Sequence, residues 1–223
     1  MVSINSLTFD LSDCSLREQT EKSRLWVNSS NVAHMLRFEP CSPDWPFDLT
    51  DSTAATEFYQ RQSQDLGGVM LSLEVTTVAG AEALRGLFKY RAPTNIFAMY
   101  YVGILWLPFQ NCNFQINVEA IETGLTGARE TFGVIIEPDS SPRLPPNTPP
   151  VPFVSAEESF RRLESAPVCQ WPSDSEQYDE LFPDHPLSKV RRRITEVMAT
   201  LEIDPNAKPL MPFRIRSGWR FWR

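Results

Sequence analysis

Two neighbouring stretches decide the fold: Ile96-Phe-Ala-Met-Tyr-Tyr-Val-Gly-Ile-Leu-Trp-Leu107 and Phe114-Gln-Ile-Asn-Val-Glu-Ala-Ile121. The first is apolar at nearly every position and too short to cross a bilayer as a helix, so it reads as a strand buried on both faces. The second alternates apolar and polar residues, as a strand buried on one face does. Pro108 to Asn113 joins them, and the resulting hairpin is expected at the centre of a sheet.

Reading outward toward the N-terminus, Val69 to Val78 is β-branched and alternating, a further strand. Gly80 to Tyr90 places Ala83, Leu84, Leu87 and Phe88 at helical spacing, with Pro93 beyond, and predicts a helix. Asp51 to Leu66, opened by capping residues and closed by Gly67-Gly68, predicts another. Leu7 to Leu11 and Arg24 to Val27 read as a strand hairpin, and Val32 to Phe38 as a third strand stopped by Pro40, Pro43 and Pro46. Toward the C-terminus, Gly124 to Arg129 predicts a turn or short helix and Phe132 to Ile136 a short strand or helix end. Helices interspersed with an antiparallel sheet make the class α+β.

Seven of the 19 prolines fall between 138 and 152, where an extended polyproline segment is expected. The domain reading is therefore a sheet domain over 1–137, a proline-rich linker over 138–152 and an appendage over 153–223. In that appendage Ser155 to Ser165 reads as a short capped helix. Leu187, Val190, Ile194, Val197, Met198 and Leu201 share one face of a helix over 186–201 that starts at Pro186.

The net charge of −7 conceals an asymmetry: residues 1–188 carry −13 and residues 189–223 carry +6. The basic end either neutralises the body or meets an anionic partner, and composition leaves both open. Its last stretch interleaves Arg214, Arg216, Arg220 and Arg223 with Phe213, Trp219, Phe221 and Trp222. Trp219, Arg220 and Trp222 are candidate binding residues, for internal docking, self-association or a protein partner. Nucleic acid is not expected, because an acidic body repels polyanions. The four cysteines, without CxxC spacing, point to a reducing compartment, and a start without basic and apolar regions points to no secretory signal. Cytoplasmic location and no transmembrane segment are the expectations.

Gly124-Leu-Thr-Gly-Ala-Arg-Glu130 is the most unusual local string. Thr126 can cap, and Arg129, beside Glu130, can hold an anion at the turn; alternatively Arg129 pairs with Glu119, Glu122 or Glu130. Those three carboxylates otherwise read as solvated sheet-edge groups. No catalytic residue is assigned: Cys112 with His34 or His185 as base lacks any local signature. No metal or cofactor motif is present in the sequence. Arg143-Leu-Pro-Pro-Asn-Thr-Pro149 has the form that proline-binding grooves take, and equally that of a spacer.

The order of hairpin, strand, helix, strand, helix and long closing strands, with Trp26-Val-Asn28 and Phe114 to Glu130, resembles the α/β/α sandwich of the Mog1/PsbP-like group over residues 5–137. That resemblance implies mostly non-catalytic adaptor and accessory roles, among them photosystem subunits, a nuclear-transport cofactor and secretion-associated bacterial proteins. The expected function is a non-enzymatic binding or accessory module acting through protein contacts. A small enzyme or anion-binding protein with a pocket at Arg129 is the alternative.

Overall fold

The long apolar run and its alternating neighbour lie side by side near the middle of a seven-stranded antiparallel sheet. A computed structural model describes residues 2–124, 127–136, 158, 166–206 and 210–215. The sheet strands are β2 (Cys14–Gln19), β3 (Ser23–Asn28), β4 (Ala33–Glu39), β5 (Val69–Val78), β6 (Ala81–Ala92), β7 (Asn95–Pro108) and β8 (Asn113–Ile121). Their order is β2-β3-β4-β8-β7-β6-β5. Apart from it, β1 (Leu7–Thr8) pairs with β9 (Glu202–Ile203). Three α-helices are described: α1 (Ser52–Asp65), α2 (Ala128–Ile136) and α3 (Pro186–Thr200). The protein is α+β.

The helix expected over Gly80 to Tyr90 is strand β6. Its neighbours explain why: Ala83 and Leu87 enter the core beneath α3, while Leu84 and Phe88 enter a second core with Ala55 and Tyr59 of α1. A strand buried on both faces presents apolar residues without a period of two, and Ala83-Leu84 with Leu87-Phe88 then imitates a helical stripe. The hairpin expected from Leu7–Leu11 and Arg24–Val27 also differs. The partner of β3 is β2, which is mostly exposed and therefore carries little hydrophobic signal, while β1 joins β9.

β5 and β6 meet at Ala79-Gly80, both left-handed at φ 51° and 77°, and Val78 pairs with Ala81 across them. This is the two-residue turn that follows sheet twist, for which Asn-Gly is preferred and alanine is strained. Ala79→Asn is expected to raise unfolding free energy by about 1 kcal/mol. Urea melts measure it, and an unchanged midpoint would contradict the strain.

α3 lies where the sequence placed it, with Leu187, Val190, Ile194 and Val197 buried in the same cluster as Leu36, Leu105, Ile116 and Val118 of the sheet. Each such side chain contributes roughly 1.5–3 kcal/mol by leaving water. The chain on both sides of the proline-rich tract thus builds one core. Gly103 of β7 permits this approach: a Cβ there would lie 2.9 Å from Val190 Cγ1. The expected helix near 155–165 and the tract itself lie outside the described residues, except Glu158, which is helical.

Candidate functional site

Arg129 sits in the first turn of α2, and its side chain is fully buried. Its Nε donates to Ser173 O at 2.6 Å, Nη1 to Ser188 Oγ at 2.6 Å, and Nη2 to Ser175 O at 2.9 Å and Asp179 Oδ1 at 2.8 Å. Asp179 also accepts from Arg191 Nη1 at 3.0 Å and from Ser188 Oγ at 3.0 Å. The guanidinium is consumed in joining α2, the 173–179 segment and α3. It does not form the expected pair with Glu119, Glu122 or Glu130, and an anion could enter only by displacing these bonds.

Glu130, the next residue, turns the other way. Its Oε1 lies 3.3 Å from Lys89 Nζ and accepts from Tyr101 OH at 3.4 Å. Lys89 in turn donates to both oxygens of Asp174, at 3.0 and 3.1 Å. Lys89 and Asp174 are essentially without solvent contact, so each charge depends on the other. Burial pushes the Glu130 carboxyl up, but Lys89 and a backbone N–H together outweigh it and hold the group below its usual range. Burial, reinforced by Glu130 and Asp174, raises the Tyr101 hydroxyl well above its ordinary value.

Glu122, expected at a solvated edge, is also inside. It accepts from Met99 N–H at 2.8 Å and faces His185 Nε2 at 3.1 Å. His185 caps α3, with Nδ1 accepting the Leu187 N–H at 3.2 Å, so the ring proton resides on Nε2 and is donated to Glu122. Glu122, Glu130 and His185 bring possible ligand atoms within 4.8 Å of one another. In this arrangement both ring nitrogens of His185 are engaged, Nδ1 by Leu187 and Nε2 by Glu122, and the contact ties the start of α3 to the end of β8. Glu119 belongs elsewhere. On the opposite sheet face it ends a ladder in which Trp106 Nε1 donates to Gln115, Gln115 to Asn117, Asn117 to Glu119, and Tyr100 OH also to Glu119.

The cysteine–histidine pairing weighed from sequence is not assembled. Cys112 is buried and burial pushes its thiol up to about 11. His34 instead faces Cys14, with Sγ 3.8 Å from Nδ1, while Arg193 Nε donates to His34 Nε2 at 3.3 Å. Burial, with Asp13 beside it, raises the Cys14 thiol to about 11 as well, far from the thiolate a nucleophile requires. A groove of about 590 Å³ is lined by charges of both signs, including Arg85, Arg191 and Arg192 with Glu176, Asp179 and Glu180.

Four of the five described basic residues of this end, all but Arg192, form ion pairs within the chain. Lys189 pairs with Asp184, Arg191 with Asp179, Arg193 with Asp13 and Glu196, and Arg214 with Glu82. Phe213 is buried edge-on against Trp45 at 5.5 Å, and Ile215 N–H donates to Asp48 at 2.7 Å. Thr126, Trp219, Arg220 and Trp222 lie outside the described residues.

Sequence reasoning singled out Arg129 and Glu130 but missed Lys89, Asp174, Asp179 and Ser188. The only available signal was the presence of two charged residues heading an apolar helix, Phe132 to Ile136, which makes burial of one of them a question worth asking.

One surface feature remains. The two outer strands of the sheet differ in their guards. β2 carries Arg17 and Glu18 and a register shift between Leu16 and Glu18. β5 has its own register shift between Met70 and Ser72, runs regularly from Ser72 to Val78, and carries one charge, Glu74, which pairs with Arg85 at 3.1 Å. Among the described residues no strand pairs with its outer side.

The fold and these features define an α+β protein with a helix on each face of an antiparallel sheet and a buried ionic network at one corner. No family model and no curated protein matches the chain. A crystal structure from Bacteroides thetaiotaomicron VPI-5482 is similar with a TM-score of 0.35 and 12% identity, over 56% of this chain and 41% of that one. The chain therefore aligns with less than half the length of that neighbour. Among the described residues, no helix is long and apolar enough to cross a membrane.

Proposed function

We propose that the protein is a non-enzymatic binding module that acts through protein–protein contacts, with the outer edge of β5 as its contact surface. The observation that carries this reading is the outer edge of β5 from Ser72 to Val78, regular in register and with its one charge paired. Natural sheets protect their edges with charges, bulges and prolines, because free N–H and C=O groups recruit another strand. β2 sets its register shift beside two adjacent charges, Arg17 and Glu18, whereas β5 has its shift at Met70/Ser72, before a regular stretch whose one charge, Glu74, is paired with Arg85.

The turn geometry identifies the groups involved. Val78 and Ala81 close a two-residue hairpin, so they form a mutually bonded pair, and the bonds alternate from there. Thr76 and Glu74 point their backbone groups at β6; Thr77, Val75 and Leu73 point theirs outward. Strand addition at these groups gives affinity through the main chain. By contrast, the ionisable groups around Arg129 are committed to one another, which favours a binding role over the anion pocket. The helices on both sheet faces are compatible with a Mog1/PsbP-like sandwich, whose accessory roles agree with this reading. Four unpaired cysteines suit a cytoplasmic setting.

A soluble peptide of alternating threonine and valine is the probe. Titrated into labelled protein, it is expected to shift the amide resonances of Leu73, Val75 and Thr77 and to leave those of 128–136 and 185–188 in place. Saturable shifts confined to the Arg129 network would overturn the proposal.

A further inference from the structure

We infer that the partner for the β5 edge is a second copy of this chain, paired antiparallel about a twofold axis at Val75, so that two seven-stranded sheets become one. The inference rests on the preceding reading of the β5 edge as a protein-contact surface.

Charge first favours it. Each chain carries −7, so two copies repel over most of their surfaces. Along Ser72 to Val78 the only charged residue is Glu74, already neutralised by Arg85, and the strip where two copies would meet is effectively uncharged.

The register is then fixed by the backbone and by Glu74 together. A twofold axis at Val75 sets Val75 against its own copy, Leu73 against Thr77 and Thr77 against Leu73. All these residues point their N–H and C=O groups outward, so every such pair can exchange both of its bonds. Glu74 then faces the uncharged Thr76. An axis shifted to Glu74 would oppose two carboxylates at the closest side-chain spacing, which is destabilising. An axis shifted to Thr76 would leave Leu73 facing the turn at Ala79, and an axis between residues would oppose outward groups to inward ones. Closed twofold pairing is also the commonest form of self-association and leaves no further β5 edge to propagate.

Sedimentation equilibrium of the full chain between about 1 and 200 µM tests this, with Val75→Pro and Val75→Lys beside the wild type. The proline removes an outward N–H without touching the β6 ladder, and the lysine sets an unpaired charge against its own copy at the axis. The wild type is expected to approach twice 25.5 kDa as concentration rises. Both variants are expected to bind themselves at least tenfold more weakly while keeping the wild-type circular dichroism; if the proline variant fails to fold, the lysine variant decides. A wild type that stays monomeric throughout, or a dimer that folded Val75→Lys leaves intact, overturns the inference. The threonine–valine peptide separates this failure from that of the broader reading: a monomeric wild type whose Leu73, Val75 and Thr77 still respond to the peptide loses the self-pairing alone.

Discussion

Arg129→Gln is expected to lower the unfolding free energy by about 3–5 kcal/mol, the cost of breaking a buried ion pair. The size follows from what the guanidinium holds. Ser173 O, Ser175 O, Ser188 and Asp179 all accept from it, and they belong to segments 44 to 59 residues away in the chain. A glutamine amide has too few donors to replace the fork, so carbonyls and part of a carboxylate are left buried and unpaired. In a protein of this length that corresponds to a drop of about 10 °C in Tm. Arg129→Lys keeps the charge and is expected to fall between the two, because an ammonium cannot reproduce the planar geometry. Thermal and urea melts of the three proteins measure this. Stability unchanged in Arg129→Gln would mean that the arginine is not structural.

The second large effect is a loss of stability in mild acid that runs through His34. Burial, then the neighbouring Arg193 charge, push the folded-state pKa of this imidazole down from 6.5 to about 4, although Asp13 opposes them. The unfolded chain therefore takes up a proton near pH 6.5, whereas the folded chain waits until about pH 4. Between those values the unfolded state holds more protons. The contribution is intact above pH 6.5 and falls by about 3 kcal/mol as pH drops to 4. A protonated His34 would face Arg193 across 3.3 Å, which loosens the contact of α3 with β4. Urea unfolding of wild type and His34→Gln at several pH values between 7 and 4 isolates the effect, because acid titration of the remaining groups is shared. The stability difference between the two proteins is expected to shrink by about 3 kcal/mol in that range; parallel profiles would contradict it.

How far the sequence reached can be followed residue by residue. The β7–β8 hairpin and α3 were legible because their burial is one-sided, or total over a long stretch, and such burial writes itself as period or run. β6 was misread for a physical reason, since Leu84 and Phe88 serve one core and Ala83 and Leu87 the other. β2 left no trace because its residues, Leu16 among them at 49% exposure, stay largely in water. The candidate site divided similarly. Arg129 stood out locally, but its partners lie in the irregular 173–179 segment and on α3, and no local pattern encodes a pairing across so many residues. The docking of Phe213 against Trp45 is another contact of this kind, visible only once the sheet brings the two ends of the chain together.

The choice between a binding module and an anion pocket turns most directly on the Arg129 guanidinium in solution. Its Nε–H resonance can be followed while inorganic phosphate is added to the full-length protein at constant ionic strength. With the group held by Ser173, Ser175, Ser188 and Asp179, the expected result is a slowly exchanging signal whose position does not change. A saturable shift of that signal at millimolar phosphate would contradict the account and restore the anion pocket.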